Sequence, residues 1–180
     1  MNVIATGLSG VVIIEPKVFG DERGFFLESF HQDRYKQAGI NLSFVQDNHS
    51  RSQSGVLRGL HFQKSRPQGK LVRVVQGEVW DVAVDVNPTS LTYGQYEAVL
   101  LNAENKRQFY IPPGYAHGFV VTSETADFEY KCTDYYDPDD EGGIIWNDPD
   151  LNISWPVTDP VLSEKDRVLP TLKELNGGKI

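Results

Sequence analysis

The sequence predicts an all-β chain, a sandwich or barrel of short strands with little helix. Three observations carry this. The 16 glycines and 10 prolines are scattered along the 180 residues rather than clustered, as turn residues between strands are. Aromatic residues reach 11% and valine is abundant, which suits pleated, half-buried surfaces. Short segments alternate apolar and polar side chains, with turn signals at close intervals.

The elements follow in chain order. Val11 to Ile14 is the longest apolar run near the N-terminus and reads as a strand, as does Phe25 to Phe30. His31 to Ala38 suits a short helix, stopped by Gly39 as a C-cap. Leu57 to Gln63 and Leu71 to Val75 read as strands, and Gln76-Gly77 reads as a tight hairpin into Glu78 to Val86. That last strand is the clearest. Trp80, Val82, Val84 and Val86 fall on one face, with Asp81, Ala83 and Asp85 on the other. Asn87-Pro88 ends it. Gln95 to Leu101, Arg107 to Ile111, His117 to Thr122 and Ala126 to Lys131 complete the strands. Ser163 caps a helix start at Glu164-Lys165-Asp166, and a short helix near Thr171 to Leu175 ends at Asn176-Gly177. No repeat or linker divides the chain, so residues 1–180 read as one domain with a C-terminal tail.

Composition narrows the function. Hydrophobic residues make 39%, charged residues 23%, and the mean hydropathy is -0.38, a globular and not a disordered balance. A net charge of -8 makes a partner of nucleic acid or an anionic membrane a poor fit. Cys132 is the single cysteine, so no disulfide forms within the chain and the cytoplasm is the expected location. The N-terminus lacks a basic leader pattern, and no transmembrane run is present. Charge is nonetheless segregated. Residues 49–77 carry Arg51, Arg58, Lys64, Arg66, Lys70 and Arg73 with no acid, and residues 132–164 carry nine acids with no Lys or Arg. Either the two segments neutralise each other, or the chain keeps one basic pocket for an anionic small molecule.

Ile111 to Val121 reads IPPGYAHGFVV, and Pro112-x-Gly114-x-x-His117 matches the second motif of the cupin barrels, small β-barrels of the jelly-roll type. In metal-binding cupins the first motif supplies a His-x-His pair and then a Glu. Here His61 stands with Gln63 where the second His belongs, and Lys70 stands where the Glu belongs. A lysine in place of a carboxylate opposes a divalent cation, so the sequence reads as a cupin barrel whose metal site is lost. Each residue also has a plainer reading. Lys70 alternates with Val72 and Val74 and could be a strand-end lysine whose amine snorkels to water. Tyr130 shares a face with Ala126 and Phe128 and could be a core tyrosine. Asp166 could be the N3 acid of a capping box, or a carboxylate that holds a histidine's tautomer. The odds change because His61, Lys70, His117 and Tyr130 can all line one barrel interior. A base, a cation and a phenol in one concave site suit proton abstraction beside a carbonyl.

Taken together, the motifs resemble the dTDP-4-dehydrorhamnose 3,5-epimerase family. The segments Val18 to Phe26 (VFGDERGFF), Phe44 to Ser50 (FVQDNHS), Arg58 to Gln63 (RGLHFQ) and Gln68 to Val72 (QGKLV) carry the resemblance. So do Ile111 to Phe119, Tyr130-Lys131, Ile145 to Asp148 (IWND) and Leu162-Ser163-x-Lys165-Asp166. The match runs over nearly the whole chain in order.

The resemblance implies a cupin-type jelly-roll barrel with short helices, assembled as a homodimer with exchanged N-terminal strands. It implies the substrate dTDP-4-dehydro-6-deoxy-D-glucose, inverted at sugar carbons 3 and 5 to dTDP-4-dehydro-L-rhamnose on the way to dTDP-L-rhamnose. No metal or organic cofactor is expected. By position, His61 is implied as the base and Asp166 as its partner. Tyr130 is the acid on the opposite ring face, and Lys70 supports the enolate oxygen. Arg23, Glu28, Gln46, Asp47, Asn48, Arg58, His117, Glu141 and Lys165 are implied to bind the nucleotide sugar, Arg23 and Glu28 reaching in from the partner subunit. Tyr136 is implied to stack on the thymine. Two other readings stay open on the sequence. A mono-epimerase of a related dTDP-4-keto sugar shares the core motifs, and a non-catalytic sugar-nucleotide-binding cupin would need no acid and base pair.

Overall fold

The structure, a computed structural model, describes residues 1–175 and Gly177. Thirteen strands and three short helices follow in order: β1 Asn2–Ala5, β2 Val12–Glu15, β3 Val18–Asp21, β4 Gly24–Leu27, α1 Gln32–Gln37, β5 Gln46–Gln53, β6 Leu57–Gln63, β7 Lys70–Gln76, β8 Glu78–Asp85, β9 Tyr96–Asn102, β10 Gln108–Ile111, β11 Tyr115–Val121, β12 Thr125–Cys132, β13 Glu141–Gly143, α2 Glu164–Arg167 and α3 Leu172–Leu175. One sheet runs β1-β2-β10-β7-β12-β5 and the other β13-β6-β11-β8-β9, while β3 and β4 form a separate hairpin. The all-β jelly-roll expectation holds.

The core lies between the two sheets because each supplies an alternating apolar face. Val72, Val74, Phe109, Ile111, Ala126 and Phe128 from the first meet Val79, Ala83, Val99, Leu101, Phe119 and Val121 from the second. The outer face of the second sheet, with Leu60, Val82 and Val84, is covered by Ile144, Leu151 and Leu172 of the C-terminal segment. The outer face of the first, with Ile14, Leu71 and Tyr110, is covered by Tyr35 of α1 and by Ile40. The strand from Glu78 to Asp85 is therefore buried on both sides, and its two aspartates are inside the protein: Asp81 is 0% and Asp85 1% exposed.

The helices keep their expected places. Gly39 follows α1 at a positive φ of 95°, which only glycine adopts freely. Ser163 caps α2, its Oγ accepting from the Asp166 N–H at 3.1 Å. At α3 the Thr171 N–H donates to Glu174, and the Glu174 N–H donates to the Thr171 hydroxyl. This is a capping box. Gly177 has φ 61° beyond it, and Asn176 of the expected stop lies outside the described residues.

Two expectations need correction, and one long strand was not expected. Gln76-Gly77 is no hairpin, since β7 and β8 belong to different sheets. It is a corner between sheets, and a Cβ on Gly77 would fall 1.9 Å from the Thr125 carbonyl oxygen. The strand expected from Phe25 to Phe30 stops at Leu27. β5 was not foreseen, because QDNHSRSQ is polar throughout. It is an edge strand beside β12, and its inward residues face the cleft described next rather than an apolar core.

Candidate active site

One end of the barrel opens as a cleft of about 470 Å³ between the sheets, under the segment that carries α2. His61 and Arg58 reach it from β6, Lys70 from β7, His117 from β11, Tyr130 from β12, Glu141 from β13, and Lys165 and Asp166 from α2. An adjoining recess adds Gln46, Asn48, Gln68 and Cys132, and shares His61, Lys70, Tyr130, Tyr136 and Glu141. Alternation explains the set. Lys70 continues the inward face of Val72 and Val74, and Tyr130 that of Ala126 and Phe128. His61 pairs across the sheet with His117. The strands approach so closely there that a Cβ on Gly59 would lie 2.5 Å from Gly118 Cα.

His61 Nε2 lies 2.6 Å from Asp166 Oδ1. A carboxylate only accepts, so in the neutral imidazole Nε2 carries the proton and the lone pair is on Nδ1. Nδ1 is 3.9 Å from Glu141 Oε1, too far for a hydrogen bond, and is left available in the cleft. Burial raises the Asp166 pKa, but the His61 contact, the Ser163 cap and Lys165 outweigh it and hold the carboxyl below its ordinary value. The Asp166 backbone N–H meets the Ser163 cap, and its carboxylate goes to His61 rather than back to the cap.

Lys70 is half-buried, with no hydrogen bond or ion pair to its ammonium among the described residues. Burial pushes its pKa down, against the pull of Cys132, Asp81 and Glu141. The Tyr130 phenol is pushed up by burial. Its hydroxyl likewise has no hydrogen-bond partner among the described residues. A cation and an O–H donor thus face the same space as the histidine lone pair.

His117 Nε2 sits 3.0 Å from both oxygens of Asp81. Burial pushes His117 down and Asp81 up, against the mutual attraction of the pair. Asp81 was missed in the sequence reading. Its signal is an acid on the same strand face as Val79 and Ala83, both core residues. Cys132 was missed as a lining residue too, although it lies two positions beyond Tyr130 on the same face.

At the mouth, Glu141 Oε2 accepts from the Tyr136 hydroxyl at 2.9 Å and from Lys165 Nζ at 2.5 Å. Burial raises the Glu141 pKa, but these donors outweigh it and the net shift is down. Gln46 accepts from the Tyr136 N–H and donates to Asn48. Gln63, at the position where metal-binding cupins carry a second His, donates to the Arg66 and Tyr135 carbonyls and accepts from the Asp137 N–H. It ties down the loop that presents Tyr136.

The charge segregation resolves both ways. Arg66 pairs with Asp134 of the acidic segment, while Arg51 and Arg73 are neutralised by Asp127 and Glu129, which precede it. Arg58 donates only to the Ser52 hydroxyl and, like Lys70, has no ion pair among the described residues. Both line the cleft, together with Lys165, which is paired with Glu141.

Three expected residues are not brought there within this chain. Asp47 points to the outer sheet face and pairs with Lys131 at 2.9 Å. It alternates with the inward Gln46 and Asn48 on β5, so the strand's pleat turns it away. Arg23 sits on the exposed β3–β4 hairpin and pairs with Asp21, and Glu28 pairs with Arg34.

Residues 5–174 match the family model described as dTDP-4-dehydrorhamnose 3,5-epimerase. The chain is 57% identical over 168 residues to the dTDP-4-dehydrorhamnose 3,5-epimerase of Shigella flexneri, covering 92% of this chain and 93% of that one. It is 40% identical over 169 residues to a dTDP-4-dehydrorhamnose 3-epimerase of Streptomyces niveus, covering 93% and 82%. Among solved structures, dTDP-6-deoxy-D-glucose-3,5-epimerase from Legionella pneumophila Philadelphia 1, in complex with dTDP-4-keto-L-rhamnose, superposes with a TM-score of 0.93. Its identity is 57%, with 96% of this chain and 93% of that chain covered.

Proposed function

The chain belongs to the dTDP-4-dehydrorhamnose 3,5-epimerase family, and from that premise we propose that it converts dTDP-4-dehydro-6-deoxy-D-glucose to dTDP-4-dehydro-L-rhamnose with His61 as base and Tyr130 as acid. The observation that carries the assignment is the convergence of His61, Lys70 and Tyr130 on one cleft, with His61 held by Asp166 at 2.6 Å.

The chemistry follows from the keto group at carbon 4. Carbons 3 and 5 flank it, so their hydrogens are acidic. His61 Nδ1 takes one, and the electron pair passes to the carbonyl oxygen as an enolate. The unpaired Lys70 ammonium stabilises that oxygen in a site of low dielectric. Inversion needs the returning proton on the opposite ring face, where Tyr130 supplies it. Asp166 keeps the imidazole oriented and stabilises the imidazolium while it carries the proton. Arg58 binds the diphosphate through its fork of N–H donors, and Tyr136 stacks on the thymine. Gln46, Asn48, His117, Glu141 and Lys165 complete the nucleotide-sugar site. The identity to the 3,5-epimerase, 57% against 40% for the 3-epimerase, favours inversion at both carbons.

The working form is a homodimer. The β3–β4 hairpin exposes Phe19, Phe25 and Phe26 by 53%, 64% and 68%, an apolar patch that an isolated two-stranded hairpin does not keep in water. A partner copy covers it and receives Arg23 and Glu28 at its cleft. The whole chain serves as one catalytic domain in the cytoplasm, where a single buried thiol stays reduced.

The test is incubation with the dTDP-4-keto sugar in heavy water. Deuterium at both carbons with formation of the rhamno product is the expected result. Deuterium at one carbon makes the protein a mono-epimerase. Tight dTDP binding without exchange makes it a binding cupin.

A further inference from the structure

The charges at the cleft mouth are arranged around one carboxylate. Glu141 offers Oε2 to Lys165 Nζ at 2.5 Å and to the Tyr136 hydroxyl at 2.9 Å. Its other oxygen, Oε1, lies 3.9 Å from His61 Nδ1, the nitrogen that the Asp166 contact leaves free. Glu141 is well shielded from water and Lys165 is not: their side chains are 15% and 52% exposed. The lysine can leave toward solvent or a ligand, while the carboxylate stays.

We propose that Lys165 is a latch on Glu141: the diphosphate of the substrate draws Lys165 away, and the released carboxylate strengthens His61 as a base. This deepens the proposed function and rests on His61 being the base. Without ligand, Lys165 is paired with Glu141 at 2.5 Å, and its positive charge offsets part of the carboxylate's field at the ring. An arriving diphosphate carries more negative charge than a carboxylate and competes for the same ammonium. Tyr136, turning its ring to the thymine, loosens the second donor. Glu141 then stands uncompensated 3.9 Å from Nδ1, and an anion at that range favours the protonated imidazole. The base is armed only when substrate is bound. Glu141 is thus a positioning and tuning residue, with no proton of its own to transfer.

The other charged and titratable groups around His61 do not provide this coupling. Asp166 is fixed on Nε2, and His117 is tied to Asp81. Lys70 and Tyr130 present a cation and a phenol, each of which opposes or leaves unchanged the proton affinity of the ring. Arg58 and Lys165 are the cations placed for the diphosphate, and of these Lys165 holds Glu141.

The experiment is an NMR titration of the His61 ring in ligand-free protein, the signal assigned by its loss in His61→Asn. Lys165→Met is expected to raise the His61 titration by about one pH unit, and Glu141→Gln to lower it slightly. The double variant is expected to match Glu141→Gln, because Lys165 acts through Glu141. An unchanged titration in Lys165→Met overturns the latch. So does an upward shift that persists in the Glu141→Gln background, which would show Lys165 acting directly on the ring. If His61→Asn still exchanges substrate protons, the base assignment itself has failed, and that outcome is separate from the titration.

Discussion

His61 and Asp166 lie 105 positions apart in the chain and meet at 2.6 Å between Nε2 and Oδ1. One comes from a central strand of the barrel, the other from a single turn of helix in the C-terminal segment. The contact decides which imidazole nitrogen is free, and so which atom can receive a proton. His61→Asn removes the proposed base with little change in side-chain volume. The expected outcome is no deuterium at carbon 3 or carbon 5, with dTDP affinity nearly unchanged by calorimetry. Exchange at the wild-type rate in this variant would place the base elsewhere.

Asp166→Asn and Ser163→Ala separate orientation from capping. The cap hydrogen bond uses the Ser163 hydroxyl and the Asp166 backbone, so Ser163→Ala should cost about 1 kcal/mol of stability and spare much of the turnover. Asp166→Asn keeps the backbone cap and should lower kcat far more than it lowers melting temperature. The pH dependence has a definite sign. The Asp166 and Glu141 carboxyls are held below their ordinary values of 3.8 and 4.5. Their contribution to stability is complete above those values and is lost as the pH falls through the depressed native ones. Acid unfolding followed by circular dichroism should therefore be less steep in Asp166→Asn.

Tyr130→Phe keeps the ring against Phe128, whose centroid is 5.9 Å away, and deletes only the hydroxyl. Folding and dTDP binding should hold. Proton removal persists while protonation on the opposite face is lost or left to water, a loss of about 10²–10⁴-fold. The measurement is the ratio of deuterium uptake to product formed, expected to rise over wild type. Product at the wild-type rate would make Tyr130 a core residue only.

Lys70→Met should trade activity for stability. Burial lowers the Lys70 pKa from its ordinary 10.5, so the folded protein binds this proton less readily than the unfolded chain does. Stability then rises with pH between the depressed native value and 10.5, and below that window the charge opposes folding in full. Methionine removes the opposition. At neutral pH the variant should be more stable by on the order of 1 kcal/mol, a rise of roughly 2–4 °C in melting temperature, with turnover abolished. A less stable Lys70→Met protein would mean the ammonium has a partner that outweighs its desolvation.

Phe25→Ser with Phe26→Ser tests the assembly. Both rings are largely exposed in this chain, so the folded barrel should survive. Sedimentation should show a monomer in place of a dimer. In the proposed dimer Arg23 and Glu28 would then no longer reach a partner's cleft, and activity should fall. A dimer with full activity would assign the hairpin another purpose.

Much of the barrel could be read from the sequence because strands with one buried face write their pattern locally. Lys70 with Val72 and Val74, and Tyr130 with Ala126 and Phe128, share a face by alternation alone, and the structure keeps both sets together. The helix signals at Gly39 and Ser163 were equally local. Polar β5 escaped because its inward residues face a wet cleft, where no apolar period is required. The turn at Gly77 was misjudged because a hairpin and a corner between sheets use the same glycine.

The sequence by itself determined the all-β class and the family, and it named the residue types proposed for the site. All rest on short-range pattern or on ordered motifs. Tertiary structure alone decided the pairings: Asp166 with His61, Asp81 with His117, Lys165 with Glu141, and the outward turn of Asp47. A side chain's neighbours along the chain fix which face it occupies, but its charge environment comes from strands and loops far away in sequence. Those arrive only when the two sheets close over their core.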